Sequence, residues 1–229
     1  EYLENLFKKG EIHELVHTSN IGKLNAIFKG LCGHRFSLTT IADADTFFET
    51  GWQNASYNIF EKFPKAGVVG LTPQFKMFHA ANSSNVLFDT ILSKNLYFES
   101  VKNPEALQHF YKSIGWEDNY NKNLLKQTLA IHSDGESALV GSGHYVATYK
   151  ATLFNTLPVF LNAKIGRNTE QYLDSLPLKY GMWRLTTTQN YAYHIGNVTE
   201  KWMETKLKEL IPQEKRIPSN LNWVKAEKI

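Results

Sequence analysis

The sequence predicts an α/β domain. Short apolar, β-branched runs alternate with amphipathic helical stretches from Leu24 to Leu71, in the order helix, strand, helix, strand. Turn chemistry punctuates them, and 42% hydrophobic against 21% charged residues suits a chain that buries a core. Tyr2 to Lys8 reads as the end of an amphipathic helix, with Leu3, Leu6 and Phe7 on one side and Gly10 as its cap. Ile12 to His17 alternates as a short strand, in which His13 and His17 read as structural. Asn20-Ile21-Gly22-Lys23 is a turn, Leu24 to Leu31 a helix, and Phe36 to Ala42 a strand ending in Asp43-Ala44-Asp45. Phe48 to Phe63 reads as a helix closed by Pro64-Lys65-Ala66-Gly67, and Val68 to Leu71 as a buried strand. This alternation implies parallel crossovers.

The stretch from Thr72 to Asp134 is rich in Asn, Ser, Phe and Tyr and reads as helices and loops, with Pro104 to Ile114 the best helix. Leu139 to Thr148 is strand-like and Tyr149 to Leu157 a short helix. Thr169 to Tyr180 is helical despite Pro177, and Trp183 to His194 is rich in strand. Thr199 to Ile211 is an amphipathic helix with Trp202, Met203, Leu207, Leu210 and Ile211 on its apolar side; the tail after Pro212 is polar. One domain over residues 1–229 is expected.

Composition excludes several classes of function. A net charge of +3 from 25 basic and 22 acidic residues is too balanced for a nucleic-acid footprint. No apolar run approaches the ~20 residues of a membrane-spanning helix, and the acidic start does not read as a secretory signal. A single cysteine, Cys32, excludes an internal disulfide and suits a reducing, cytoplasmic setting.

Asp43-Ala44-Asp45 is the sharpest local signal. An apolar strand ending in carboxylates delivers them to the sheet edge where α/β proteins bind ligands. Residues two apart in extended chain point the same way. Their mutual repulsion is relieved by a hard divalent ion such as Mg²⁺ or Mn²⁺ shared with a phosphate. Asp is also an ordinary turn and capping residue, so spacing alone leaves both readings open.

The order of motifs narrows them. Asn20-Ile21-Gly22-Lys23-Leu24-Asn25-Ala26, then Ile41-Ala42-Asp43-Ala44-Asp45, then Phe63-Pro64 and Gly67-Val68-Val69-Gly70 resemble the core of family 2 glycosyltransferases of the GT-A fold. Gly143-His144-Tyr145-Val146-Ala147 with Phe154 is similar to that family's acceptor-side strand and following helix. Thr169-Glu170-Gln171 with Gly181, and Tyr193-His194-Ile195-Gly196-Asn197, resemble its Glu-Asp helix and closing histidine segment. Two departures stand out. The family opens with a strand, helix and strand, a unit of ~30 or more residues, for which the chain has no room before Asn20, so that part of the nucleotide-binding half is expected to be absent. Gln171 replaces the second carboxylate of the usual Glu-Asp pair.

The resemblance implies a mixed sheet flanked by helices and an inverting, metal-dependent transfer of sugar from a nucleotide-diphosphate donor, with UDP-sugar first among donors. The acceptor is a hydroxyl of a carbohydrate or lipid-linked carbohydrate, which points to polysaccharide biosynthesis. Donor binding falls to Asn20, Gly22, Lys23 and Asp43, and metal binding, Mn²⁺ or Mg²⁺, to Asp45 and His194. The acceptor side falls to His144 and Trp183. Glu170 and Asp174, at i and i+4 on one helix face, are the candidate bases, with Glu170 preferred because it follows the loop Asn162 to Asn168 at a helix start. Each has a plainer alternative: a core histidine at 194, a solvated face at Asp174, a solvated helix start at Lys23, core packing for Trp183, Tyr191 and Tyr193. The Trp202 helix packs on its own domain, with a peripheral contact at the inner face of a membrane as the other reading. Two further function classes stay open. A haloacid-dehalogenase-type phosphatase would use Asp43 as nucleophile, although Phe47 stands where such motifs carry Thr or Val. A non-catalytic binding protein or incomplete subunit is the other.

Overall fold

The computed structural model describes residues 1–75, 77–79, 81–116, 120–155, 167–196 and 198–212, with backbone alone for 167–169. The tail beyond Pro212, Asn197 and the loop 162–166 lie outside them.

The described elements are helices α1 (Tyr2–Lys8), α2 (Lys23–Leu31), α3 (Trp52–Lys62), α4 (Ser84–Thr90), α5 (Pro104–Ser113), α6 (Arg167–Lys179) and α7 (Lys201–Glu209). The strands are β1 (Leu38–Ala42), β2 (Thr46–Phe48), β3 (Ala66–Gly70), β4 (Leu96–Ser100), β5 (Gln127–Ser133), β6 (Glu136–Val140), β7 (Val146–Lys150), β8 (Trp183–Thr187) and β9 (Ala192–His194). Seven of the strands form a mixed sheet in the order β1-β7-β3-β8-β6-β5-β4, and β2 pairs with β9 in a separate ribbon.

The expected alternation of helix and strand is present, but its crossovers are not simple. β1 and β3 run the same way without touching, because β7 lies between them, antiparallel to both. Among these strands only β3 and β8 pair in parallel. The strand expected over Ile12–His17 does not form; that stretch has no regular structure. Phe48 ends a strand instead of opening a helix, and α3 begins at Trp52 behind Gly51. The Asn- and Ser-rich middle, expected as helix and loop, contains β4 and β5, paired with each other.

Successive strand residues face opposite sides of a sheet, and β3 shows it: Val68 and Val69 are both buried, in different cores. Val69 packs with Ile59 and Phe60 of α3 and with Phe63 just after it, and with Val140, Ile131 and Leu185. Val68 packs on the other face with Leu24 of α2, Leu173 and Leu176 of α6, and Ile41 and Tyr149. A third core closes the sheet's end, where Leu107, Phe110 and Tyr111 of α5 meet Leu71, Phe75, Tyr145 and Ala192. α5 is well specified locally: Pro104 occupies its first turn and the Asn103 side chain accepts the Ala106 N–H at 2.9 Å.

α7 is only partly the helix its pattern implied. Met203 is buried and Trp202 packs edge-on against Phe47 and at a tilt against Tyr193, but Leu207 and Ile211 are exposed. Lys206 donates to Glu49, so α7 is tied to the β2–β9 ribbon. Among the described residues, no helix is long and apolar enough to cross a membrane.

Candidate functional site

Most of the predicted site residues gather at one end of the sheet, where β1, β3 and β8 finish and β7 begins. The chain leaves β1 through Asp43, whose N–H donates to Tyr145 O at 2.8 Å, and turns at Ala44-Asp45 into β2. This turn overturns the extended Asp-x-Asp geometry expected from sequence. The two carboxylates take different partners. Asp43 pairs with Lys23, and Asp45 Oδ2 lies 3.2 Å from His194 Nε2.

Each partner is placed by local structure. Gly22 caps α2 with φ of 81°, which disfavours any residue with a Cβ, and its N–H donates to the Asn20 side chain at 3.3 Å. Lys23 is therefore the first residue of α2, where the helix dipole disfavours a cation; the Asp43 carboxylate offsets that. His194 ends β9, opposite Thr46 of β2. The Ile195 N–H donates to Asp45 O at 2.8 Å, locking the two segments together. Tyr145 packs edge-on against His194, and its hydroxyl bonds Thr72, which donates to Ala192 O at 2.7 Å. Burial, with Asp43 and Asp45 nearby, raises the Tyr145 hydroxyl far above its ordinary pKa, so it stays protonated.

Across from this pair, His144 stands between two carboxylates of α6. Its Nδ1 is 3.2 Å from Asp174 Oδ2 and its Nε2 3.6 Å from Glu170 Oε1. The Asp174 hydrogen bond is the leading cause of a raised imidazole pKa, supported by both carboxylate charges and opposed by burial and by Lys23. Lys23, Leu24, Ile27, His144, Glu170 and Leu173 line one shallow pocket, which connects the Asp43 side of the site to the α6 side.

Behind it lies Arg184, fully buried in β8. Its guanidinium donates to the carbonyls of Ser142 (2.9 Å), Gly143 (3.1 Å), Asp174 (3.3 Å) and, at 3.5 Å, Leu173. It also forms a close ion pair, at 2.9 Å, with Asp174 Oδ1. Pro177 has no N–H for the carbonyl four residues back, that of Leu173, and Arg184 reaches the carbonyl so freed. Sequence reasoning passed over Arg184; an arginine inside the apolar run Trp183-Arg184-Leu185 was the available signal.

Two expectations are corrected by these positions. Asp174 is not free to meet a substrate, because one oxygen faces Arg184 and the other His144. Trp183 is not in the cleft at all. It starts β8 beside Ala66, at the far end of the sheet, where its indole donates to Asp89 at 2.8 Å and Lys65 lies over its ring. An acceptor role for Trp183 is therefore set aside.

The donor set tests the expected metal. Asp45 and His194 are a carboxylate and an imidazole, suitable ligands for Mn²⁺, and His194 Nδ1 is buried without a hydrogen-bond partner among the described residues. No group of three or more His, Cys, Asp or Glu side chains that could hold a metal occurs among the described residues. Two donors fit an ion held jointly with a phosphate and water; they do not form a closed cage. No protein-family model, curated protein or solved structure matches this chain.

Proposed function

We propose that this protein is a metal-dependent glycosyltransferase of the GT-A type, passing a sugar from a nucleotide-diphosphate donor to an acceptor hydroxyl with inversion. The observation that carries the reading is the convergence on one sheet end of Lys23–Asp43, Asp45–His194 and the Glu170 carboxylate, with Lys23 shared between the Asp43 pair and the Glu170 pocket. The residue order that resembles family 2 enzymes supports it.

In this reading Asp43 and Lys23 hold the ribose and phosphate side of the donor, with Asn20 and Gly22 shaping the loop before them. Asp45 and His194 hold Mn²⁺ or Mg²⁺, which when bound supplies charge neutralisation to the departing diphosphate. Glu170, half exposed at the start of α6, takes the acceptor proton as the hydroxyl attacks. A base there must come within about 2.6–3.2 Å of that oxygen, directly or through one water. His144 sits at the acceptor side beside it.

Calorimetric titration with UDP tests the reading. Weak binding that requires Mn²⁺ in the wild type and vanishes in Asp45→Asn is the expected result. UDP binding that ignores the metal, or none at all, overturns it. Hydrolysis of an aryl phosphate that is lost in Asp43→Asn favours the phosphatase instead.

A further inference from the structure

The Arg184–Asp174–His144 chain is more elaborate than packing requires, and the base role proposed for Glu170 does not use it. We infer that His144 is a positioning residue for Glu170: its imidazolium tethers the Glu170 carboxylate at the pocket, and the Asp174–Arg184 pair fixes the imidazolium in turn. The inference rests on the reading of Glu170 as the base.

The geometry selects the charged ring. Both ring nitrogens face carboxylates, and an ionised carboxylate only accepts. A neutral imidazole carries one N–H and leaves one of these contacts as lone pair against carboxylate. The imidazolium satisfies both, with a hydrogen bond to Asp174 at 3.2 Å and an ion pair to Glu170 at 3.6 Å. The groups facing His144 are Asp174 and Glu170 from α6, Lys23 from α2 and, through Asp174, Arg184 from β8. The raised pKa of the imidazole agrees with the two carboxylates outweighing burial and Lys23.

The ring itself is held from two directions by one side chain. Arg184 donates to the carbonyls of Ser142 and Gly143, which directly precede His144, and also pairs with the carboxylate that bonds its Nδ1. The Gln74 side-chain amide lies directly over Gly143 in the same turn. Glu170, by contrast, has a half-exposed side chain on the first turn of a helix. Untethered, it would sample solvent rotamers. When Glu170 takes the acceptor proton its charge is neutralised and the ion pair to His144 slackens, while the proton stays on the carboxyl oxygen and His144 keeps its own.

The test reads the ring directly. The His144 imidazole is titrated by NMR in the wild type, Glu170→Gln and Asp174→Asn, and the pH dependence of transfer is measured in the wild type and His144→Gln. Expected are a wild-type titration above the 6.5 of a free imidazole, lowered in both carboxylate variants, and a wild-type turnover that declines on the alkaline side as the ring loses its proton. His144→Gln loses about 100-fold in kcat, as misplacement of a reacting group does, and that alkaline decline disappears. A wild-type titration at or below 6.5, one that Glu170→Gln leaves unmoved, or a His144→Gln profile of unchanged shape overturns the inference. Glu170→Gln is a surface change and does not depend on the buried pair, so a poorly folding Asp174→Asn leaves the test intact. If Glu170→Gln moves the titration but keeps full turnover, the base assignment fails while the tether stands.

Discussion

At the scale of single residues, Asp174 and Glu170 are separated by their partners, although both lie on the same face of α6. Asp174 neutralises a guanidinium that is fully buried, and removing one member of such a pair leaves an uncompensated charge. Asp174→Ala is expected to lose about 3–5 kcal/mol of unfolding free energy in denaturant titrations. Glu170→Gln should leave that stability near wild type and lower turnover about 10²–10⁴-fold, the usual contribution of a general base. Equal stability losses in the two variants would show that α6 does not divide its carboxylates in this way. Asp45→Asn belongs to the same scale. It is expected to weaken Mn²⁺ affinity by about 100-fold or more, at or beyond what outer-sphere partners contribute, with its far-UV spectrum unchanged. An unaltered Mn²⁺ dependence would remove the Asp45–His194 pair from metal binding.

At the scale of elements, the site depends on turns at the sheet's end more than on the strands themselves. The β6–β7 connection opens at Gly141, where φ is 86° and a Cβ would meet the Met77 carbonyl oxygen at 2.5 Å. Backbone cannot retreat as a flexible side-chain tip does, so strain and overlap act together there. Gly141→Ala is expected to cost about 2 kcal/mol or more, within the range of strained backbone and overpacking combined. It should also shift the His144 ring resonances, because the same connection carries Ser142 and Gly143 to Arg184. A variant as stable as the wild type would show that the connection has slack. α6 illustrates the same coupling from the other side. Pro177 frees a carbonyl that Arg184 approaches, so a helix irregularity and a buried charge are matched between α6 and β8.

For the whole molecule, the histidines set opposing slopes of stability against pH. The His144 pKa is raised in the folded state, so its contribution is complete below 6.5 and is lost as pH rises through the folded value. His109 and His132 are lowered, chiefly by burial, so theirs is present above 6.5 and is lost as pH falls through their folded values. Urea unfolding between about pH 5.5 and 8.5 should therefore show a loss on the alkaline side that flattens in His144→Gln. The loss on the acid side should remain in that variant. An alkaline slope identical in the two proteins would contradict the raised imidazole.

Local pattern by itself determined much of this protein. Helical spacing placed α2, α5 and α6, and β-branched runs placed β1, β3 and β8, because amphipathic period and turn residues act over a few positions. The same short range explains why Asn20, Gly22, Lys23, Asp43 and Asp45 were legible as a group: they stand on one helix start and one strand end. Pairing was not legible. β7 inserts between β1 and β3, and β4 joins β5 across the polar middle, because strand partners are chosen by long-range burial that no local window contains. The same reason removes Trp183 from the cleft, since a residue at the start of β8 lies a strand's length from one at its end. It also decides the roles of Asp174 and His144. A carboxylate on a helix face reads alike whether it meets solvent or a buried guanidinium, and only packing α6 against β8 puts Arg184 beside it.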